Sequence, residues 1–181
     1  APDVSCLDEY KKLMSIEKTA EKLFQMSDEV WARHANPWSV WSRYPCLPLL
    51  CFAIWSRVWI GWVCLIPIVV VCVWIWLNPR VFGKQKSTKN WASKAVLGER
   101  VWLKHPKAEI PSHHQRAIGV LKWVTFVGFL MAVYGLVVLH PWLAILGTII
   151  AILGKTWFLD RMVWLYQDLS AENREYQGWL Y

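Results

Sequence analysis

The apolar residues of this chain are gathered into three long blocks, which cover residues 46–77, 123–139 and 142–159. The only charged side chains inside these blocks are Arg57 in the first and Lys155 in the third. A helix rises about 1.5 Å per residue, so about 20 residues cross the roughly 30 Å hydrocarbon core of a bilayer. The pattern therefore predicts an all-α, polytopic membrane protein.

The number of membrane crossings depends on the first block. Each of the two later blocks has the length of one transmembrane helix, and His140-Pro141 predicts the turn between them. The first block would form a straight helix about 48 Å long, which is more than a bilayer needs. A break at Ser56-Arg57 predicts a helical hairpin and four transmembrane helices in total. The alternative is a re-entrant or interfacial segment before Ser56 and three transmembrane helices.

A second pattern, typical of an amphipathic helix, covers residues 5–33. Its apolar residues recur mostly in steps of three or four, the spacing of one helix face, and Asn36-Pro37 marks its end. This N-terminal stripe either packs on the protein's own basic loop or on the membrane surface, or it docks to a partner subunit.

The positive charge of the chain is concentrated in one polar loop. The net charge is +7, and residues 78–116 alone hold nine Lys or Arg against two Glu. A helix is predicted inside this loop, over residues 90–103. The positive-inside bias places the loop on the cytoplasmic side, and four crossings place both termini there too. No nucleic-acid-binding module accompanies the charge, so the sequence predicts contact with anionic lipid headgroups and no nucleic acid.

These patterns divide the chain into five segments. They are an N-terminal amphipathic and interfacial segment, a transmembrane hairpin, a basic loop, a second transmembrane hairpin and a polar C-terminal tail. The predicted boundaries are 1–44, 45–77, 78–116, 117–166 and 167–181. The chain also has 15 Trp, many of them at the ends of the predicted spans, as in an aromatic belt. We expect a bacterial inner membrane or an organellar membrane, with the basic loop and termini on the cytoplasmic, stromal or matrix side.

Side chains that carry chemistry are few and dispersed. No nucleophile-elbow, P-loop or paired-carboxylate motif occurs, so no catalytic residue is predicted. The five Cys form no C-x-x-C pair, and solvation or lipid contact is favoured over metal binding for His113-His114. No metal and no cofactor are therefore predicted. The alternative is a haem or chlorophyll pigment held by His140 or His34 as a single axial ligand.

Charged residues beside or inside the apolar blocks are costly there and usually have partners. Lys155 either reaches back to the interface or pairs with Glu99 or Asp160. Three arginines near Trp or Asn at predicted helix breaks are candidates for stacking on tryptophan: Arg43, Arg57 and Arg80. Structural anchoring is the favoured role of these groups, and binding of an anionic headgroup is the alternative.

Several sequence strings carry a resemblance to a known family. They are HANPWSVWSR at 34–43, WLNPRVF at 76–82 and WASKAVLGER at 91–100. Together they resemble a domain-of-unknown-function family of small bacterial and archaeal integral membrane proteins, over about residues 30–105. The resemblance transfers no catalytic residue. It implies one interfacial polar cluster that holds a ligand or a lipid headgroup, and its members are His34, Asn36, Arg43, Asn78, Arg80, Glu99 and Arg100.

Two functions follow as hypotheses. The first is a non-catalytic accessory subunit of a larger membrane complex, of respiratory or photosynthetic type, whose partners are membrane lipids and other membrane protein subunits. The alternative is a membrane-embedded enzyme or carrier that binds an anionic lipid-like substrate at the polar cluster. The alternative predicts that the cluster residues converge on an enclosed pocket, whereas spreading over the surface would count against it.

Overall fold

A computed structural model describes residues 27–181, and the regular structure within that range is entirely helical. The α-helices are α1 Asp28–His34, α2 Pro37–Trp41, α3 Cys46–Trp55, α4 Arg57–Ile60, α5 Leu65–Val81, α6 Trp91–Lys104, α7 Ser112–Val137, α8 Pro141–Glu172 and α9 Arg174–Gln177. Short 3-10 turns occupy Gly61–Cys64 and Lys107–Glu109. The predicted all-α class is confirmed. Most of the predicted amphipathic helix over 5–33 lies outside the described residues, and α1 covers its last part.

Three stretches are long and apolar enough to cross a membrane: Pro37–Val81, Ser112–Val137 and Pro141–Glu172. The first of them is not a single straight helix, because it is interrupted after Trp41, at Ser56 and again at Gly61–Cys64. Gly61 has a φ of 56°, a backbone conformation that glycine adopts without the steric penalty of a side chain. The chain reverses there.

The reversal brings the two ends of the first stretch together. The Arg33 guanidinium donates to the carbonyl of Arg80 at 3.5 Å, and the Asn36 amide donates to the carbonyl of Gly83 at 3.0 Å. Between these ends, α3 packs against α5. Residues 37–81 therefore fold back on themselves as a helical hairpin, and the backbone reverses at Gly61, four residues after the predicted break at Ser56-Arg57.

The second hairpin consists of α7 and α8, which pack against each other through small residues. A methyl group added at Gly147 would lie 2.3 Å from the backbone nitrogen of Ala132, and one added at Gly128 would lie 2.5 Å from that of Ala151. Backbones approach this closely only where side chains are absent. The turn between the helices falls where His140-Pro141 predicted it, and the His140 Nδ1 accepts a hydrogen bond from the Leu143 N–H at 3.2 Å.

Helix α6 packs on the part of α8 that lies farthest from this turn. Asn90 caps its first turn by accepting from the Ser93 N–H at 2.9 Å, close to the predicted start. A methyl group at Gly98 would lie 2.0 Å from the carbonyl oxygen of Met162, so the two helices are in backbone contact. The main buried cluster fills this region, with contributions from α1, α2, α6, α7 and α8.

The C-terminal residues close the same end of the molecule. The Thr88 N–H donates to the carbonyl of Tyr181 at 2.8 Å, and the Thr88 hydroxyl donates to the carbonyl of Trp179 at 2.8 Å. The segment before α6 is thereby attached to the chain's last residues, and the polar parts of the protein gather on one side of the two hairpins.

Candidate binding cavity

A cavity of about 780 Å³ lies where both hairpins meet α1 and α6. Most of its wall is apolar, and the larger apolar side chains in it are Leu47, Trp102, Phe126, Phe129, Ile152 and Phe158. The ionisable side chains in it are His34, Arg43, Glu99, Lys122 and Lys155. A mostly apolar cavity with a few convergent polar groups is the usual form of a small-molecule binding site.

The position of the cavity along the hairpin follows from the helical rise. Lys155 is 14 residues from Pro141 at the α7–α8 turn, which corresponds to about 21 Å along α8. If a roughly 30 Å hydrocarbon layer began at this turn, the charged part of the wall would lie toward the other end of the layer. Phe129 and Ile152 extend the wall toward the turn.

His34 is fixed by two hydrogen bonds at one side of the cavity. Its Nε2 lies 2.8 Å from the Arg43 guanidinium, and its Nδ1 lies 2.8 Å from the Ser39 hydroxyl oxygen. Because a guanidinium only donates, Nε2 accepts, and Nδ1 carries the proton that it donates to Ser39. The imidazole is therefore neutral in this arrangement.

The hydrogen bonds continue from Ser39 into the first hairpin. The Ser39 hydroxyl donates to Asn78 Oδ1 at 2.8 Å, and the Asn78 amide donates to the Ser42 hydroxyl oxygen at 2.7 Å. Ser39 and Asn78 are completely buried. His34, Ser39 and Asn78 each accept one of these hydrogen bonds and donate the next, so the direction of donation runs from Arg43 through these three residues to Ser42. The network joins α1, α2 and α5.

The ionisation of His34 agrees with this geometry. Burial, followed by the charge of Arg43, lowers the pKa of His34 from 6.5 to about 3. Glu99 acts in the opposite direction and Lys155 in the same direction as Arg43, but both effects are smaller. His34 thus presents a neutral ring to the cavity at physiological pH.

Glu99 and Lys155 form an ion pair across the cavity wall, between α6 and α8. The Lys155 ammonium donates to Glu99 Oε1 at 2.6 Å. Burial alone would raise the pKa of Glu99, but the charge and hydrogen bond of Lys155, with a smaller contribution from the charge of Arg43, hold the pKa below its ordinary value. Glu99 is therefore a carboxylate. Of the alternatives predicted for Lys155, pairing with Glu99 is the one found.

The charge in the cavity wall is positive overall. Arg43, Lys122 and Lys155 contribute three cationic groups against one carboxylate, and the Lys122 ammonium lies 4.9 Å from the centre of the Trp102 ring. Within residues 27–181, the Arg43 guanidinium donates one hydrogen bond, to His34, although it carries five N–H groups. The wall therefore favours an anion.

Two further wall residues have hydrogen-bonding groups without a partner. The Trp31 indole nitrogen and the Tyr44 hydroxyl oxygen are buried and make no hydrogen bond within residues 27–181. A buried donor without an acceptor costs about 1–3 kcal/mol, and such groups are rare in folded proteins. Both residues offer a proton to an acceptor that these described residues do not supply.

The seven residues of the predicted cluster do not all meet at the cavity. His34, Arg43 and Glu99 line it, and Asn78 supports His34 from behind through Ser39.

The remaining three have other contacts. Asn36 caps α2 by accepting from the Trp38 N–H at 3.0 Å. The Arg80 guanidinium stacks on the Trp76 ring at 4.3 Å. Arg100 forms an ion pair with Asp28 and lies over the Trp179 ring at 4.0 Å.

Trp31, Tyr44 and Lys122 are among the wall residues that sequence reasoning missed. Trp31 belongs to the predicted amphipathic stripe, and Lys122 immediately precedes the second apolar block, where a cation is readily explained by the interface. Only the fold shows that both face the same cavity. Tyr44 gave no signal beyond its position before Pro45.

His113-His114, predicted to be solvated or in lipid contact, lies elsewhere. His114 is completely buried, and its Nε2 lies 2.7 Å from Asp168 Oδ2 on α8. The predicted solvation is wrong for this residue, because the packing of α7 against α8 buries one face of the first turn of α7. His113 remains exposed.

A family model described as a family of unknown function (DUF6653) matches residues 15–178. The chain belongs to this family. The DUF6653 match extends well beyond the stretch of about 30–105 that carried the resemblance, and it takes in both hairpins, the basic loop and part of the N-terminal stripe. No curated protein and no solved structure matches the chain.

Proposed function

We propose that this protein binds an anionic amphiphile, a lipid-like molecule with a phosphate or carboxylate headgroup, in the cavity between its two hairpins. One observation carries the proposal: the cavity wall combines a large apolar surface, three cationic side chains, and the buried donors of Trp31 and Tyr44, for which the described part of the chain supplies no acceptor. An anionic headgroup supplies the missing acceptors, and an apolar tail covers the remaining wall.

The arrangement of the wall supports one orientation of the ligand. Arg43, Lys122 and Lys155 lie toward the end of the hydrocarbon layer, where a headgroup resides in a bilayer. Phe129 and Ile152 lie deeper. A ligand with its headgroup at the cations and its tail toward Phe129 keeps the orientation that it has in the membrane, so it can enter laterally without inverting.

Glu99 and His34 set the specificity in this proposal. The Glu99 carboxylate neutralises Lys155 and repels a second anionic group, so the site suits a headgroup of low charge. The neutral His34 ring holds one N–H of Arg43 and leaves the others for the ligand. The function proposed is binding, by a carrier or by a lipid-dependent membrane protein, and it assigns no chemical step.

We further propose that the chain crosses the membrane four times, with the cavity on the cytoplasmic or equivalent side. In support, the ends of the first hairpin lie together, and Arg57 at its reversal donates to the carbonyl of Leu136 at 2.6 Å, next to the α7–α8 turn. Each arm of the first hairpin thus extends along the second one. The positive-inside bias orients the basic loop, and α6 with it.

Retention of lipid during purification tests the proposed ligand. The protein is purified in a mild detergent, exposed to equimolar phosphatidylglycerol and phosphatidylcholine with identical chains, and examined by native mass spectrometry. We expect Arg43→Gln and Lys122→Gln each to weaken phosphatidylglycerol binding roughly tenfold or more, because a hydrogen bond to a charged group contributes about 1.5–3 kcal/mol. Lys89→Gln removes an exposed basic residue that does not line the cavity and is the matched control.

Equal retention of the two lipids by the unaltered protein would refute the proposal. So would a loss in Lys89→Gln as large as that in Arg43→Gln, because the effect would then come from the general charge of the loop. The accessory-subunit hypothesis stays a prediction, and the same preparation tests it: a membrane protein that co-migrates in constant ratio supports that role, whereas an isolated monomer counts against it.

A further inference from the structure

A cluster of metal-ligating side chains lies at the start of α7, apart from the cavity. His113, His114 and Asp168 each place one ligand atom within 4.8 Å of the others. Asp168 follows Lys155 by 13 residues on α8, so the cluster lies about 20 Å farther along that helix than the cavity's ion pair. It lies beyond the hydrocarbon layer, on the side of the basic loop.

The buried member of the cluster has an unused hydrogen-bonding group. His114 is completely buried, and its Nδ1 makes no hydrogen bond within residues 27–181, while Nε2 is held by Asp168. Neither protonation state satisfies this ring. A neutral ring leaves one nitrogen lone pair without a donor, and a doubly protonated ring leaves an N–H without an acceptor. Nε2, which faces Asp168, is the His114 nitrogen that can share an ion with this carboxylate, whereas Nδ1 points away from it.

A second imidazole lies beside the first. Consecutive residues on a helix point about 100° apart, yet the His113 and His114 ring centres are 4.2 Å apart. His113 and Asp168 are both exposed, so the cluster is open to water on one side. Two imidazoles and one carboxylate, with one open position, form the ligand set of a four-coordinate transition-metal site.

We propose that His113, His114 and Asp168 bind a divalent transition-metal ion of the zinc type, with water as the fourth ligand. The ion is held by His114 Nε2 and the Asp168 carboxylate, whose present hydrogen bond it replaces, and by one nitrogen of the His113 ring. Because two ligands belong to α7 and the third to α8, the ion links these helices on the side of the basic loop and stabilises the second hairpin against separation there.

Metal titration of the whole protein tests this site. The protein is purified in detergent with an affinity tag that contains no histidine, treated with a chelator, and titrated with Zn²⁺, with Co²⁺ as the spectroscopic substitute and Mg²⁺ as the control. We expect one equivalent of Zn²⁺, visible d–d absorption from one equivalent of Co²⁺, and no response to Mg²⁺, which prefers oxygen ligands. The melting temperature should rise with Zn²⁺, because a ligand of the folded state stabilises it.

Two variants locate the site without removing the buried ring. His113→Ala truncates an exposed side chain, and Asp168→Asn retains an oxygen that accepts from His114. Each should weaken Zn²⁺ binding by roughly tenfold or more, because loss of even a supporting hydrogen bond around a metal ligand costs about 10–100-fold. Glu109→Gln is the matched control. The Glu109 carboxylate lies 3.5 Å from His105 Nε2 and is not a member of the cluster, so this substitution should leave Zn²⁺ binding unchanged.

Absence of Co²⁺ absorption and of a Zn²⁺-dependent melting shift would overturn the proposal. So would one bound equivalent that neither His113→Ala nor Asp168→Asn weakens, because the ion would then lie elsewhere. Lipid retention in the same preparations is independent of this outcome, so failure here leaves the cavity proposal intact.

Discussion

Arg43 determines the role of the buried His34. A guanidinium that donates to Nε2 forces the proton onto Nδ1, and Ser39 and Asn78 then continue the same direction of donation into α5. Reversing any one of these groups leaves two donors or two acceptors facing each other. The network therefore has one stable arrangement, and it orients the Arg43 guanidinium at the cavity wall.

The depressed pKa of His34 predicts an acid-sensitive fold. Between pH 6.5, the ordinary pKa, and about 3, the folded value, the unfolded chain binds a proton that the folded protein excludes. The contribution of His34 to the free energy of unfolding is therefore fully present above pH 6.5 and decreases as the pH falls through this window. We expect the melting temperature in detergent to drop over that range, and less steeply for His34→Gln than for the unaltered protein.

His140→Gln is the control for this measurement, because His140 is exposed at the opposite end of the hairpin. It should keep the slope of the unaltered protein. If the melting temperature of His34→Gln depended on pH as that of the unaltered protein does, proton exclusion at His34 would not contribute to the acid sensitivity of the fold.

At the scale of elements, two glycines of the second hairpin allow the effect of helix packing on stability to be distinguished from the effect of helix propensity. Gly147→Ala places a methyl group 2.3 Å from the Ala132 backbone nitrogen, whereas Gly119→Ala meets nothing within 4 Å. Overpacking against backbone costs about 1–3 kcal/mol. An Ala in an open helical site gains up to about 1 kcal/mol. We therefore expect Gly147→Ala to lower the melting temperature and Gly119→Ala to leave it unchanged or raise it. A stabilised Gly147→Ala protein would contradict the close contact of α7 and α8.

Hydropathy predicts the helices well inside the apolar blocks and poorly beyond the ends of those blocks. The second apolar block begins at residue 123, but α7 begins at Ser112; the third ends at 159, but α8 continues to Glu172. The extension of α8 packs against α6 and α9, so its sequence mixes buried apolar residues with exposed polar ones. The start of α6 near residue 90 and the turn at His140-Pro141 were predictable because they depend on local hydrogen bonding and on proline.

The residues of the candidate site were also predicted only in part. The strings around His34, Arg43 and Glu99 predicted a shared cluster, and these three residues do line one cavity. The resemblance also placed Arg100 in this cluster, next to Glu99 in the same string, but adjacent helical residues point about 100° apart. It therefore meets Asp28 and Trp179. Such a difference depends on helix rotation, which the sequence strings do not encode.

At the scale of the whole molecule, the polar segments meet at one end. Asp28 in α1 forms its ion pair with Arg100 in α6, and Thr88 is bonded to Tyr181 near the chain's last helix. Segments that precede, separate and follow the two hairpins thus lie in contact. Contact across a bilayer is impossible for such short side chains, so all three segments belong to one side in the proposed topology.

Labelling of single cysteines tests this topology. In a background without the native cysteines, Ser27→Cys, Lys89→Cys and Leu139→Cys are exposed to a membrane-impermeant maleimide in vesicles of known orientation. Four crossings predict labelling of positions 27 and 89 from the same side and of position 139 from the opposite side. If residues 37–81 crossed only once, position 27 would be labelled from the side opposite to position 89.

Arg57 has a consequence for the order in which the protein is assembled. Its acceptors at the end of α7 are the carbonyls of Leu136 and Val137, which follow it by 79 and 80 positions in the chain. In the proposed topology, the first hairpin therefore reaches the membrane during synthesis before these carbonyls exist. Until the second hairpin arrives, the arginine must remain in water or among headgroups, and docking of the hairpins is what draws it into its final place.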